Sequence, residues 1–207
     1  MFCLCWGLVL RREYPSQPVV GVGVVIVDDG RFVAKSDDSV LVVGVVFRGG
    51  RWIDGVLSTT ITVDGYDATE KISKMILKSI FYRQLKVVFL NGITFGGFNV
   101  VDITSLNQST GLPIISVNQK RPSLENVRQA LTNLPGYKER WNAVMNAGPI
   151  FSMRAPRGKG VVYIEMAGTS KEEVQEFLNL TSTRSNIPEA LRVAHLIASN
   201  ITSVNEE

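Results

Sequence analysis

β-Branched and other apolar residues arrive in strand-length runs early in the chain, from Val19 to Val27, Val40 to Phe47 and Val56 to Val63, which predicts three successive strands. Asp28-Asp29-Gly30 and Arg48-Gly49-Gly50-Arg51 are short, turn-rich connections, suited to an antiparallel meander. The period then changes. Asp67 with Glu70 forms a helix-start signature, and Ile72, Met75, Ile76 and Ile80 follow at helical spacing, so a helix is expected to about Arg83. Leu85 to Leu90 reads as a fourth strand, Val100 to Leu106 as helix, and Leu112 to Val117 as a fifth strand. Each of these later strands follows a helix, so this half is expected to be parallel.

The remainder reads as mostly helical. Ser123 can cap Leu124 to Leu134, with Pro135-Gly136 as a stop, and Tyr137 to Ala147 follows with Gly148 as terminator. Pro149 to Gly160 is an irregular basic stretch and Val161 to Met166 a further strand. Ser170 with Glu173 starts another helix, and Pro188 suits the first turn of the last.

Composition narrows the class without fixing a function. The chain has 207 residues, 45% hydrophobic and 20% charged, enough for one large domain with a real core. Residues 1–18, with Cys3, Cys5, Arg11-Arg12, Pro15 and Pro18, read as an N-terminal extension ahead of a single domain over 19–207. Its apolar stretch is too short to span a bilayer, so no membrane role is expected. With both cysteines in the first five residues, neither a disulfide framework nor a multi-cysteine zinc site can organise the body, which fits a cytoplasmic protein. A net charge of +3 is compatible with a polyanionic partner but does not require one.

Chemistry concentrates after the fourth strand. Leu90-Asn91-Gly92-Ile93-Thr94-Phe95-Gly96-Gly97-Phe98-Asn99 holds three glycines between positions 92 and 97, at the carboxyl end of a strand, where α/β sheets bind ligands. So many glycines imply a sharp bend or a close approach. The stretch lacks a Walker lysine and a Gly-x-Gly-x-x-Gly spacing. The lone His195 has no serine or cysteine motif to pair with and reads as a packed or partly buried residue. Lys120-Arg121 after the fifth strand, Arg154, Arg157 and Lys159 in the irregular stretch, and Arg184 and Arg192 near the end are candidates for phosphate contacts. Phe95 and Phe98 could stack on a base or tuck into the core.

Three antiparallel strands, a helix, a strand, a helix and a fifth strand is the order of the ribonuclease H-like fold, an α/β three-layer arrangement with a mixed sheet flanked by helices. Val27-Asp28-Asp29-Gly30, Val45-Val46-Phe47-Arg48-Gly49-Gly50, Val63-Asp64-Gly65, Asp67-Ala68-Thr69-Glu70, Gly92-Ile93-Thr94-Phe95, Gly97-Phe98-Asn99-Val100-Val101-Asp102, Ile187-Pro188-Glu189 and Leu191 to Ala198 together resemble the archaeal uncharacterised family catalogued as domain of unknown function 99. The resemblance runs from about Val25 to Ile201. That family is in turn similar to endonuclease V, through the acid-tipped first strand, the acid-Gly turn after the fourth, and the Pro-Glu…Arg…Ala-His stretch.

The resemblance implies a metal-dependent nuclease, or a weakened descendant, acting on DNA or RNA with deaminated or unpaired bases. It implies Asp28, Glu70 and position 91 as the catalytic and metal-binding set for Mg2+ or Mn2+, because a hard dication takes oxygen ligands. Nucleic-acid contacts fall on Phe95, Gly96, Gly97, Lys120, Arg121 and Arg192. Bland readings stand beside these: Asp28-Asp29-Gly30 and Asp64-Gly65 are ordinary turn chemistry, Glu70 fits a capping box, and Asp102 sits in a helix facing solvent. The departure from the family pattern is Asn91, an amide where an acid is expected. A unit-charge pair at about 4 Å is worth about 4 kcal/mol at an effective dielectric near 20, so losing one charge weakens a dication site. Deamidation of the open Asn91-Gly92 pair would restore the acid. The alternatives are a catalytically inactive nucleic-acid-binding module and a protein-interaction scaffold of the same fold.

Overall fold

The computed structural model describes residues 23–29, 38–156 and 160–203, with the backbone alone for 23–29 and 202–203. The N-terminal extension, Gly30, Arg157 and Lys159 lie outside the described residues. Three strands open the fold: β1 (Gly23–Asp29), β2 (Ser39–Arg48) and β3 (Trp52–Thr62). β1 pairs antiparallel with β2, and β2 with β3. Helix α1 (Ala68–Leu77) leads to β4 (Leu85–Leu90), and α2 (Ile103–Thr110) to β7 (Ile114–Asn118). A short hairpin, β5 (Thr94–Phe95) and β6 (Asn99–Val100), interrupts the glycine stretch. Two helices, α3 (Leu124–Leu131) and α4 (Tyr137–Asn146), precede β8 (Phe151–Arg154) and β9 (Val161–Ala167), and α5 (Lys171–Thr181) and α6 (Glu189–Ser203) complete the chain.

The main sheet runs β3-β2-β1-β4-β7-β9-β8. β4 lies parallel to both β1 and β7, as a helix before each strand predicts. β9 then pairs antiparallel with β7, and β8 with β9, so the parallel run stops there. Alternation along the strands divides the core into two layers. Val88, Leu90 and Ile114 face Ile72 and Ile76 of α1, Ile103 and Leu106 of α2, Leu131 of α3 and Val144 of α4. Val87, Phe89, Ile115 and Val117 face Val174 and Leu178 of α5 and Leu191, Ala194 and Ala198 of α6. This is a ribonuclease H-like three-layer fold. None of the described helices is long and apolar enough to cross a membrane.

Several expectations need correction. α1 ends at Leu77 rather than near Arg83, because the Ser79 hydroxyl accepts from the Phe81 amide and a 3₁₀ turn, Tyr82–Gln84, redirects the chain into β4. Ile80, counted on the apolar face, is exposed. The helix expected from Val100 begins at Ile103, since Asn99 and Val100 pair with Phe95 and Thr94. Asp102 is therefore a cap, accepting from the Ser105 amide at 2.9 Å. Part of the stretch expected to be irregular is an edge strand, β8, at the limit of the sheet. The Ser123 cap and the Ser170/Glu173 capping box are present.

Candidate active site

Strand register sets the centre of the site. Val27 on β1 is the parallel partner of Leu90 on β4, so Asp28 and Asn91 are the next residues of two neighbouring strands at their carboxyl ends. The structure describes Asp28 by its backbone alone, whereas the Asn91 side chain is exposed. From Asn91 the chain turns through Gly92, whose φ is +80°. That conformation favours glycine, and a β-carbon there would lie 3.2 Å from Asn118 Oδ1 at the end of β7, a tight contact that the amide would have to ease by a small shift.

Asn91, Gly92, Ile93 and Thr94 form one wall of a cavity of about 120 Å³, closed by Asn118, Pro122, Leu124, Val127, Val144 and Glu165. Glu165 went unrecognised in the sequence. It sits on β9 opposite Ser116 of β7, which in turn pairs with Leu90. Only 3% of its surface is exposed. Ser116 Oγ donates to Glu165 Oε2 at 2.9 Å, and Asn118 Nδ2 reaches the same hydroxyl at 3.4 Å. Burial pushes the Glu165 carboxyl up, and the Ser116 hydrogen bond opposes it only in part. The available signal was the two-residue period of β9, which puts Glu165 on the face opposite Val162 and Ile164.

The hairpin that follows is held by buried polar groups. Asn99, fully buried, donates to Thr62 O at 2.9 Å and Asp67 Oδ1 at 2.7 Å and accepts from the Ala68 amide at 3.0 Å. Asp67 also accepts from the Thr62 amide and hydroxyl. Desolvation raises the Asp67 carboxyl, but these hydrogen bonds outweigh it and hold it below the usual carboxylate range. The expected capping box at Asp67 is therefore absent: its carboxylate faces the hairpin, not the helix amides. Asp64 takes a left-handed conformation, φ +49°, and accepts from the Phe98 amide at 2.8 Å.

Arg140, 2% exposed, ties the arrangement together. Its guanidinium donates to the carbonyls of Asp64, Gly65, Phe98 and Pro135 and lies 4.1 Å from the centre of the Tyr66 ring. It makes no ion pair among the described residues. A planar fork meeting several carbonyls is a geometry that lysine cannot supply.

The other candidates fall in different places. Glu70 is exposed and pairs with Lys74, which holds its carboxyl below the usual range. Phe95 is 1% exposed, in the same core layer as Leu90, and Gly96 is buried. The ring of Phe95 is thus a core group with no face to offer a base, because the positive-φ turn at Gly96 and Gly97 folds the hairpin inward. Gly97 sits over Asp64, whose Oδ1 would be 2.4 Å from a β-carbon. Lys120 and Arg121 are exposed in the connection after β7, beside Pro122 of the cavity wall. Arg192 pairs with Glu189 at the start of α6, apart from Lys120 and Arg121. His195, expected to be packed or partly buried, is exposed.

The arrangement is that of a ribonuclease H-like protein whose first and fourth strands end side by side, next to a small polar-tipped cavity. Endonuclease V of Ciona intestinalis, solved with DNA containing an inosine followed by a ribo-adenosine, shares the fold, with a TM-score of 0.57 at 13% identity over 89% of this chain and 87% of its own. A structure from Archaeoglobus fulgidus, a protein of unknown function, is more similar, with a TM-score of 0.77 at 36% identity over 86% of this chain and 96% of its own. A UPF0215 protein of Methanopyrus kandleri is 46% identical over 193 residues, covering 93% of this chain and 95% of the relative. The endonuclease dU family model matches residues 21–202. The chain belongs to the endonuclease dU family.

Proposed function

We propose that the protein is a metal-dependent endonuclease that cuts DNA or RNA next to a deaminated base, with deoxyuridine the base that the family name favours. The observation that carries this reading is the adjacency of Asp28 and Asn91 at the carboxyl ends of paired strands, next to a cavity with a polar floor. Asp28 and Asn91 offer a carboxylate and an amide oxygen, donors suited to Mg2+ or Mn2+. Glu70, exposed and paired with Lys74, would join them only by releasing that lysine. Bound there, the metal would polarise the phosphodiester and supply a nucleophilic water.

The chain's own residues do the rest. The cavity of about 120 Å³ is small enough to favour a single ring turned out of the stack. Its polar end consists of Asn118 and Glu165. An amide oriented with its oxygen toward the ring can accept from the ring N–H of uracil and donate to the adjacent carbonyl. Glu165, held toward its neutral form by burial, can donate to a carbonyl as well. Lys120 and Arg121 stand beside the cavity for the flanking phosphates, a contact that weakens with salt.

A second reading has its own observation. Asn91 brings no charge to the metal, which favours a module that binds nucleic acid without cleaving it. Cleavage of uracil- and inosine-containing oligonucleotides with magnesium or manganese, lost in Asp28→Asn, supports the nuclease. Salt-sensitive binding of the same strands without cleavage at high enzyme concentration supports the module. Failure to bind them contradicts both and leaves a protein-interaction scaffold.

A further inference from the structure

The motif Ile187-Pro188-Glu189 with Arg192 plays no part in the site described above. It borders a cavity of about 880 Å³ between the β2–β3 turn and the first turn of α6, a size typical of small-molecule sites. This cavity lies at the other end of the sheet from Asn91. Val24, near the start of β1, pairs with Phe47, and β2 ends at Arg48, whereas Asp28 pairs with Val43 further back along β2.

We propose that this cavity binds a nucleoside phosphate, either as a free nucleotide or at the end of a strand. Glu189 and Ser182, each 5% exposed, line it. Glu189 Oε2 and Ser182 Oγ are buried and have no hydrogen-bond partner among the described residues. Such atoms are rare in folded proteins because desolvation goes uncompensated, and they point to a donor supplied from outside. Arg192 occupies only the other carboxylate oxygen, with Nε 3.0 Å from Oε1, and its charge offsets that of Glu189. Arg51 and Arg184 line the same cavity and have no ion-pair partner among the described residues. The cavity therefore combines excess positive charge with unfilled acceptors.

Neither feature alone selects the ligand, but together they restrict it. Inorganic phosphate can satisfy Arg51 and Arg184, and its P–OH and the Ser182 hydroxyl can pair with the buried oxygens, but it offers nothing to the apolar side of the cavity. A neutral polyol supplies donors for Glu189 and Ser182 but no charge for the arginines. Ile53 and Leu180 add an apolar wall that is about half exposed, a surface for the face of a planar ring. A nucleoside phosphate supplies all three: phosphate to the arginines, a ribose hydroxyl or base N–H to Glu189 Oε2 and Ser182, and a ring against Ile53 and Leu180. The turn at Gly49-Gly50 is fixed beneath it, since a β-carbon at Gly50 would lie 2.7 Å from Thr181 Cα. This inference does not depend on the nuclease reading.

The test is calorimetric titration of the full chain with AMP, UMP, uridine and inorganic phosphate. At least one nucleotide is expected to bind about tenfold more tightly than either uridine or phosphate. Arg51→Ala and Arg184→Ala, both changes at exposed side chains, each weaken that binding by about tenfold. Glu189→Gln weakens nucleotide binding more than it weakens phosphate binding. Competition by a 5′-phosphorylated oligonucleotide but not its 5′-hydroxyl form assigns the site to strand ends, and no competition assigns it to free nucleotides. No saturable nucleotide binding, equal affinity for nucleotide and phosphate, or unaltered affinity in both arginine variants overturns the proposal.

Discussion

Val27 of β1 and Leu90 of β4 are parallel partners, and that single register places Asp28 beside Asn91. Strand pairing alone thus brings together two oxygen-bearing residues, the proposed metal ligands, 63 positions apart in the chain. What it cannot supply is the second negative charge. Asn91→Asp adds one without altering the backbone, so metal affinity should rise by tenfold or more, in line with the size of a charge interaction near a protein surface.

Asn91 also predicts a chemical change over time. It is exposed and followed by glycine, so prolonged warm incubation should convert a fraction of it to acid. Peptide mapping would show a gain of one mass unit confined to the Asn91-Gly92 peptide, with metal affinity rising in parallel. A fully amidated peptide after incubation would remove this route to an acid.

The buried carboxyl of Glu165 predicts a pH dependence. Its folded-state pKa is raised above the unfolded value by burial, so the folded protein holds the proton more tightly. Stability contributed by this group is complete at low pH and declines as pH rises through the raised value. In Glu165→Gln that decline disappears. Urea denaturation of both proteins between pH about 4 and 8 should show the variant gaining on the parent as pH increases, and parallel profiles would contradict the assignment. Asp67 has the opposite sign: with its pKa lowered, its contribution is present at neutral pH and lost on acidification through the folded value.

Arg140 should be among the least replaceable residues. Truncation to alanine strands four carbonyls, those of Asp64, Gly65, Phe98 and Pro135, with an expected cost of roughly 2–5 kcal/mol. Arg140→Lys should recover only part of this, since an ammonium cannot span the same fork. Gly97→Ala should cost about 1–3 kcal/mol, through its φ of +83° and displacement of Asp64 from the Phe98 amide. Chemical denaturation reads both.

The architecture was legible where one pattern governed a segment. A continuous β-branched run marks β2, which is buried on both faces, and 3.6-residue spacing marks the single buried face of α1. Legibility fails where a side chain serves a distant partner. Asp67 and Glu70 have the spacing of a capping box, yet Asn99, 32 positions from Asp67, captures the Asp67 carboxylate. Arg140 looks like a surface residue of a polar helix, because its acceptors are backbone carbonyls that no sequence pattern marks. Glu165 is similar. Its neighbours Ser116 and Asn118 come from a strand nearly 50 positions away, and only the assembled sheet puts them beside Asn91. Phe95 had two candidate roles, and the tight turn at Gly96-Gly97 decided for the core.

Asp28 and Asn91 are proposed to form a working metal site together. Manganese titration followed by electron paramagnetic resonance measures it directly, without requiring a substrate. The parent protein should bind the ion weakly, Asn91→Asp at least tenfold more tightly, and Asp28→Asn not at all. Equal manganese affinity in the parent, Asn91→Asp and Asp28→Asn would contradict it.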